Sequence, residues 1–298
     1  MLRYRFKKID AFVLGQSTGN PAGCIYLPSE DTLPTEGMQQ IARELAGCVN
    51  EVVFVYPDEG HTGLRFFSCE CEVAFCGHGI IAVMYDLIKN DPTLLRDPIT
   101  RIHSGGQELL VRNEIGNADS VFISAPQPVE LKCPVSHDGI AAALRIAPGD
   151  ISEKHRIAII NAGLATLIVP VDSLDTLLSI RPDQKHLKDF CLTNAIEIIL
   201  VFSTETSHAG NSYRTRVFAP VFGYLEDPAT GSGNAALGYF LLNEGTWDGR
   251  IIAVEQGKSR EHPNIIRLVS DASKVQRNVF FGGNAVVRIE GEYLLYSK

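Results

Sequence analysis

Two glycine-containing segments carry the residues of this chain that are best suited to acid–base chemistry. Residues 226–234 combine an acid pair, a turn proline, two hydroxyl residues and two glycines, directly ahead of the apolar run 235–242. Residues 77–79 place a histidine between two glycines, ahead of a second apolar run. Apolar residues at helical spacing after each segment predict two helix N-termini. Because the first turn of a helix has free N–H groups, each segment predicts a site for a carboxylate or a phosphate.

Three further polar residues are candidates for a site. Glu51 opens the otherwise apolar strand 51–55. It is either an exposed acid at the mouth of the strand or an acid in a pocket, where desolvation raises the pKa of a carboxyl group toward a value useful in catalysis. His78, at a predicted helix start, is interpreted as a catalytic or capping group. The loop 15–23 is either a connecting turn or a loop that directs Asn20 into a cleft.

The two glycine-containing segments belong to a longer internal repeat. Glu72 stands six residues before His78 and Glu226 six residues before Ser232, with an offset of 226 − 72 = 154 residues. Upstream, Arg65 and Arg216 correspond with an offset of 216 − 65 = 151 residues. The chain therefore predicts two related halves, each with one glycine-rich helix N-terminus facing a common cleft.

The elements that must position these residues are mostly strands. After the first central helix, glycine-containing turns at 105–106 and 116–117 predict an antiparallel meander rather than a βαβ unit. The segment 126–134 is interpreted as the passage between the halves. The predicted helices are 38–46, 80–89, 136–147, 183–194 and 235–242, and the predicted strands are 3–14, 24–27, 51–55, 99–103, 108–112, 121–124, 157–161, 165–171, 196–202, 214–218, 251–257, 265–269, 279–283 and 285–289.

Composition excludes several classes of partner. The chain has 298 residues, of which 45% are hydrophobic and 21% charged, and this is typical of a soluble globular protein. A net charge of −8 argues against binding to nucleic acid or to an anionic membrane, but it leaves a local site for a small acid open. Seven cysteines without an apolar N-terminal leader predict a reduced, cytoplasmic protein, and no apolar run is long enough to span a membrane.

The sequence contains partial matches to two kinds of cofactor site, and it predicts neither. Cys69, Cys71, Cys76 and His78 lack the usual spacing of zinc ligands, and no second cluster completes a site. Residues 77–82 and 231–236 both match the loose dinucleotide pattern Gly-x-Gly-x-x-Ala, but the antiparallel meander after the first copy argues against that fold. We therefore expect neither a metal nor an organic cofactor.

Taken together, these segments resemble the PhzF family, the phenazine-biosynthesis isomerases and their relatives, which share the diaminopimelate epimerase-like fold. The resemblance covers nearly the whole chain. It runs through residues 10–12, 19–22, 41–44, 51–55, 65–67, 72–73, 76–78, 218–220, 226–232, 256–257 and 282–283.

The resemblance implies an α+β fold made of two similar halves, each a curved, mostly antiparallel sheet wrapped around a central helix. The first half is expected to comprise residues 1–126 and a returning C-terminal strand at about 285–298, and the second half residues 127–284. The active site is expected between the halves. The resemblance also implies a homodimer.

The activity implied by the resemblance is a cofactor-free proton shift on a small carboxylic acid. Glu51 matches the glutamate that takes a proton from one carbon and returns it elsewhere on the substrate. His78, Asp227 and Ser232 match the groups that bind the substrate and assist its protonation. Asn50 and Val52 stand where the family often has hydroxyl residues, so the resemblance implies the reaction class rather than phenazine chemistry itself.

The expected substrate-binding residues are Asn20, Cys76 and the backbone N–H groups near Gly77 and Gly231. Cys76 stands where the epimerases of this fold carry one of two catalytic cysteines, and Thr230 stands at the position of the other. A cysteine-dependent racemase is therefore an alternative that the sequence disfavours, and Cys76 is also interpreted as a buried small residue. A non-catalytic protein that binds a small acid is the alternative from another class.

Overall fold

Strands and helices build two units of similar architecture. The computed structural model describes residues 1–105, 107–271 and 277–296. One unit contains Met1–Val13, Thr18–Ser124 and Gly282–Lys298, and the other contains Leu14–Ser17 and Ala125–Phe281.

The strands and helices of the described residues are as follows. The strands are β1 (Leu2–Ala11), β2 (Asn20–Tyr26), β3 (Glu51–Asp58), β4 (His61–Ser68), β5 (Glu72–Val73), β6 (Ile99–Ser104), β7 (Gln107–Glu114), β8 (Ser120–Ser124), β9 (Val129–Leu131), β10 (Ala158–Asn161), β11 (Ala165–Pro170), β12 (Ile198–Ser203), β13 (Tyr213–Phe218), β14 (Glu226–Asp227), β15 (Ile252–Gln256), β16 (Asn264–Ser270), β17 (Val279–Gly283) and β18 (Ala285–Leu295). The α-helices are α1 (Thr35–Glu44), α2 (Gly77–Asn90), α3 (Ile115–Ala118), α4 (His137–Leu144), α5 (Leu174–Ser179), α6 (Gln184–Thr193) and α7 (Gly231–Glu244).

In the first unit, antiparallel pairs dominate. Strand β1 pairs antiparallel with β2 and β18, β3 pairs with β4, and β6, β7 and β8 form the predicted meander. Two pairs are parallel, β2 with β3 and β4 with β6. A helix lies between the partners of each parallel pair, α1 in the first case and α2 in the second, because parallel neighbours require a long crossover connection.

The second unit repeats this order of pairings. Strand β10 pairs antiparallel with β9 and β11, β12 pairs with β13, and β15 pairs with β16. Its parallel pairs are β11 with β12 and β13 with β15, again with helices between the partners. The mixture of a mostly antiparallel sheet with few helices confirms the predicted α+β class.

Each unit has one central helix, and these two helices have the same length. Helices α2 and α7 both contain 14 residues, and they start 231 − 77 = 154 residues apart. Eleven residues of α7 are buried, as expected for a helix that is apolar on all sides. Helix α2 carries one buried charge, Asp86, which accepts a hydrogen bond from Lys7 of β1 at 2.6 Å. This ion pair ties the first central helix to its sheet.

The correspondence between the units extends to one ion pair. Arg65 on β4 contacts Glu72 on β5 through two hydrogen bonds of 2.7 and 2.8 Å. Arg216 on β13 contacts Glu226 on β14 in the same way, at 2.9 and 2.8 Å. Each pair fixes the short strand that leads into a central helix.

Both central helices begin earlier than their apolar runs predict. Helix α2 begins at Gly77 rather than at Ile80, and α7 begins at Gly231 rather than at Ala235. The glycine-flanked histidine and serine therefore lie within the first helical turns.

Other boundaries differ because of the local backbone. Helix α4 ends at Leu144 rather than at 147, since Arg145 adopts a left-handed conformation with φ of 58°. The turn predicted at 116–117 is a single helical turn, α3, which Asp119 ends with φ of 47°. Left-handed backbone at these positions stops a helix.

Some predicted features are only partly described. Gly105 has the positive φ expected of a turn, at 57°, whereas Gly106 lies outside the described residues. The final strand runs from Ala285 to Leu295, and residues 297–298 lie outside the described residues. The passage 126–134 contains the short strand β9, which was not predicted. In the part of the chain that the structure describes, no helix is both long and apolar enough to cross a membrane.

The duplicated ion pair leads to a stability prediction. The Arg216 side chain is only 3% exposed and Glu226 17%, whereas Arg65 is 19% exposed and Glu72 42%. We expect Glu226→Gln to lower the free energy of unfolding by about 3 kcal/mol, because it leaves a buried guanidinium without its anion. The matched change Glu72→Gln should cost about 1 kcal/mol or less, because water replaces the lost contact. Urea denaturation of both variants tests this, and equal losses would contradict it.

Candidate active site

Three predicted site residues meet in the first unit. Glu51 is the first residue of β3, Cys76 is the N-cap of α2, and His78 is the second residue of that helix. Nε2 of His78 lies 3.3 Å from Oε2 of Glu51. Nδ1 of the same ring lies 3.5 Å from Sγ of Cys76. The imidazole thus bridges a carboxyl group and a thiol, and it can exchange protons with either.

A glycine allows α2 to bring His78 this close to β3. A Cβ atom on Gly79 would lie 2.8 Å from Cγ2 of Val53 and 3.0 Å from Sγ of Cys76, so only glycine fits without displacing these atoms. Val53 lies two residues after Glu51 on β3, and alternate residues of a strand share one face. The first turn of α2 therefore packs on the face of β3 that carries Glu51.

Asn20 lies on the strand next to Glu51. It is the first residue of β2 and is only 2% exposed. Ala22 of β2 aligns with Glu51 in the parallel pair, and Asn20 shares the face of Ala22. Gly19 makes this entry possible, since it has φ of 65° and its Cβ would lie 2.6 Å from the carbonyl oxygen of Ala11. Asn20 is thus a buried residue on the Glu51 face, not part of an exposed turn.

Burial changes the acidity of Glu51. The side chain is 21% exposed, and the loss of water around it raises the pKa of Glu51 from 4.5 to about 7. Burial disfavours the ionised form of a carboxyl group. The structure therefore places Glu51 in a largely desolvated position rather than at an exposed strand mouth. A carboxyl group with a pKa near neutrality can both take and return a proton at physiological pH.

The second unit assembles another set of predicted residues around the start of α7. Asp227 ends β14 and is 8% exposed, and Thr230 is the N-cap of α7. The Thr230 hydroxyl donates a hydrogen bond of 2.6 Å to Oδ2 of Asp227, so it orients this carboxyl group rather than capping the helix. Ser232 is the second residue of α7 and is half-buried, at the position that corresponds to His78.

The start of α7 also depends on a glycine. A Cβ atom on Gly231 would lie 2.2 Å from Cε2 of Phe281, which leaves no space for any side chain. This close packing explains why Gly231 stands at the helix start, and it sets the first residue of α7 against Phe281 of β17. Gly77 holds the corresponding position in α2.

Gln256 holds the loop before α7 and was not predicted as a site residue. Its Nε2 atom donates to the carbonyl oxygen of Asp227 at 2.8 Å and to Oγ1 of Thr230 at 3.0 Å. Its Oε1 atom accepts from the backbone N–H of Thr230 at 3.0 Å and from Nδ2 of Asn234 at 2.7 Å. The feature of the sequence that could have identified Gln256 is its polar side chain at the end of the mostly apolar strand β15.

The residues that could hold a metal in the structure differ from the four cysteine and histidine residues considered in the sequence analysis. Among the described residues, Glu51, Cys76 and His78 form a group whose potential ligand atoms lie within 4.8 Å of one another. Cys69 and Cys71 are not part of that group.

The chain is similar in sequence to one protein family and to proteins that are named isomerases. The sequence matches the PhzC-PhzF family, described as phenazine biosynthesis-like protein, over residues 9–291. An isomerase of Clostridium acetobutylicum, named as uncharacterized, is 30% identical and is aligned over 98% of this chain and 99% of its own length. The trans-2,3-dihydro-3-hydroxyanthranilate isomerase of Pseudomonas fluorescens is 26% identical over 96% of this chain and 98% of its own.

A solved structure shows the same fold. The PhzF-family phenazine biosynthesis protein of Bacillus anthracis superposes with a TM-score of 0.86 and 25% identity, over 99% of this chain and 100% of that chain. The predicted epimerase-like arrangement of the fold is thereby confirmed.

The Gln256 contacts lead to a second stability prediction. Gln256→Ala removes the four buried hydrogen bonds of this side chain, and we expect it to lower the free energy of unfolding by about 2 to 4 kcal/mol. Gln184 is exposed and donates a single hydrogen bond, to the carbonyl oxygen of Gly223 at 3.0 Å. Gln184→Ala should therefore cost about 1 kcal/mol or less. Thermal and urea unfolding of the two variants check this, and a neutral Gln256→Ala would contradict it.

The raised pKa of Glu51 predicts a pH-dependent stability. The folded chain holds the Glu51 proton more tightly than the unfolded chain, so the stability from this group is full below about pH 4.5 and is lost as the pH rises through about 7. Glu51→Gln removes this loss. We expect the free energy of unfolding of the variant, relative to that of wild type, to rise as the pH rises from about 5 to about 8. The rise should amount to up to about 3 kcal/mol. Urea denaturation at both pH values measures the gain.

The exposed Glu70 provides the control. Glu70→Gln should change the free energy of unfolding little at either pH, because its side chain is exposed to water. A Glu51→Gln difference that does not change with pH would contradict the prediction for Glu51.

Proposed function

This chain belongs to the PhzC-PhzF family of phenazine biosynthesis-like proteins and is an isomerase, and we propose that it catalyses a cofactor-independent proton shift on a small carboxylic acid. The observation that carries the proposal is the contact of Glu51, whose pKa burial raises to about 7, with His78 in the first turn of α2.

The first step is removal of a proton from carbon. Glu51, in its ionised form, takes a proton from a carbon next to an electron-withdrawing group of the substrate. A base with a pKa near the working pH is effective because it is ionised in an appreciable fraction of molecules and still binds a proton well. An ordinary glutamate with a pKa near 4.5 is too weak a base for this step.

The negative charge that develops on the substrate needs stabilisation. The first turn of α2, from Gly77, presents backbone N–H groups and the positive end of the helix dipole. The imidazole of His78 adds a hydrogen-bond donor to the same place. These groups stabilise an enolate-like intermediate without a metal ion.

The return of the proton to another carbon completes the shift. Glu51 then acts as an acid, and His78 keeps its carboxyl group in place through the 3.3 Å contact. No bond to the enzyme forms, and no electron is gained or lost. Substrate and product are therefore isomers that differ in the position of one hydrogen and one double bond.

The second unit contributes to the same reaction in this proposal. Asp227 and Ser232 bind the substrate and assist protonation, as the family resemblance implies. The N–H groups near Gly231 bind its carboxylate, in the manner general for helix N-termini. Asn20 and Cys76 provide further contacts on the Glu51 face.

A cysteine-dependent racemase is a weaker candidate. Such an enzyme needs two opposed thiols, and the N-caps of the corresponding helices are Cys76 and Thr230. The Thr230 hydroxyl is already bound to Asp227 and Gln256. It therefore serves as a structural group rather than as a second base.

The remaining expectations concern the compartment, the oligomeric state, the type of process and the domain division of the enzyme. We propose that it acts in the cytoplasm, as a homodimer, in a biosynthetic process, and that the sequence-based division into residues 1–126 with 285–298 and 127–284 describes its two domains. Sedimentation of the purified chain checks the oligomeric state.

Proton exchange with solvent tests the proposed function. A panel of cyclic and amino carboxylic acids, including trans-2,3-dihydro-3-hydroxyanthranilate, is incubated with the enzyme in deuterated water and analysed by mass spectrometry and NMR. We expect isomerisation of at least one acid, lowered about 100-fold or more by Glu51→Gln, because the variant lacks the base. The rate in the wild type should rise with pH through about 7, as Glu51 ionises.

The exposed Glu70→Gln variant should retain the wild-type rate. Full activity of Glu51→Gln would exclude Glu51 as the base. Binding of an acid without isomerisation or exchange would instead favour the non-catalytic binding protein.

A further inference from the structure

We propose that Glu51, Cys76 and His78 form a binding site for a divalent transition-metal ion of the Zn²⁺ class, and that the bound ion inhibits the enzyme. The binding itself follows from the geometry of the three side chains. The inhibition rests on the proposed function, because it requires that Glu51 be the base.

The three side chains are close enough for one tetrahedral ion to bind them after a local side-chain movement. With Zn–N and Zn–O bonds of about 2.0 Å and a Zn–S bond of about 2.3 Å, two ligands of one ion lie about 3.3 Å apart for N and O and about 3.5 Å apart for N and S. Nε2 of His78 lies 3.3 Å from Oε2 of Glu51 and 3.9 Å from Sγ of Cys76. All three ligand atoms lie within 4.8 Å of one another. The distance between Nε2 and the carboxyl oxygen already fits. Sγ of Cys76 lies nearer to Nδ1, at 3.5 Å, so rotation of the imidazole or movement of the thiol toward Nε2 is required before one ion binds all three side chains.

The types of ligand select the ion. A thiolate, an imidazole and a carboxylate together are the donors that zinc and its borderline neighbours prefer, whereas Mg²⁺ and Ca²⁺ require oxygen ligands. Three protein ligands leave the fourth position open for water, as in catalytic zinc sites.

The ligands also come from ordered elements. Glu51 begins a paired strand, and Cys76 and His78 belong to the start of a 14-residue helix that packs against that strand through Gly79. Little chain entropy is therefore lost when an ion binds. Cys76 is 6% exposed and the His78 side chain 12%, so the ion enters a largely enclosed position.

A bound ion changes the chemistry of the site. Coordination engages the carboxylate of Glu51 and one ring nitrogen of His78, so Glu51 is no longer able to take a proton from the substrate. Metal and substrate are therefore expected to compete. The second unit has Thr230 and Ser232 at the positions of Cys76 and His78, and hydroxyl groups are poor ligands for this class of ion.

Cobalt binding tests the site without any substrate. Co²⁺ is titrated into the reduced full-length chain, and the absorption spectrum reports both thiolate ligation and four-coordinate geometry. We expect a near-ultraviolet sulfur-to-cobalt band and strong visible bands, with displacement by Zn²⁺. Cys76→Ser and Cys76→Thr should abolish the ultraviolet band, and Glu51→Gln should weaken binding about 10-fold or more.

The exposed thiol Cys71 provides the matched control. Cys71→Ser should leave the cobalt spectrum unchanged. A spectrum that disappears in Cys71→Ser but persists in both folded Cys76 variants, or the absence of any thiolate band in the wild type, would overturn the proposed site. Because the titration needs no turnover, these outcomes are independent of whether the proposed isomerisation occurs. Where isomerisation is measured, Zn²⁺ should raise the apparent KM and leave kcat unchanged, and inhibition that substrate does not relieve would overturn the inhibitory role.

Discussion

The close approach of each central helix to its own sheet is the constraint on which the candidate site depends. Gly79 lets α2 pack on Val53, and Gly231 lets α7 pack on Phe281, where a Cβ atom would lie at 2.8 and 2.2 Å from the respective side chains. These contacts bring the first helical turns, with their N–H groups, against the strands. In α2 this places an imidazole within hydrogen-bonding range of the largely buried carboxyl group of Glu51, and the proposed chemistry depends on that contact.

Burial of Glu51 is the second consequence of the same packing. A carboxyl group that keeps little contact with water holds its proton more tightly, and its pKa rises to about 7. At neutral pH the free energy of unfolding is lowered, because the ionised form of Glu51 is poorly solvated in the folded chain. Such a cost is common where side chains are arranged for proton transfer. The enclosure of Glu51 beside His78 and Cys76 underlies both proposals, that of a base for proton transfer and that of a ligand for a metal ion.

The two units share a scaffold but differ in chemistry. Both have a bidentate arginine–glutamate pair, a short strand and a 14-residue central helix in the same order. At corresponding positions, however, the first unit has Cys76 and His78 where the second has Thr230 and Ser232. The second unit replaces the thiol–imidazole contact by a fully hydrogen-bonded network around Gln256. Architecture therefore indicates a common origin of the halves, whereas the side chains at the helix starts indicate their separate roles.

Local pattern determined much of this protein, and contacts between distant residues determined the rest. The apolar spacing was sufficient to predict the central helices and most strands, because these depend on residues near one another in the chain. The 154-residue offset predicted the duplication, because a repeat is visible in the sequence itself. The set Glu51, His78, Asp227 and Ser232 came from family resemblance, and their roles stay predictions. Only the tertiary structure revealed the parallel pairs, the contacts of Gln256 and the burial of Glu51. Burial and hydrogen bonding depend on elements that are far apart in sequence. The sequence therefore left two interpretations of Glu51 open, and the packing of α2 on β3 determines its acidity.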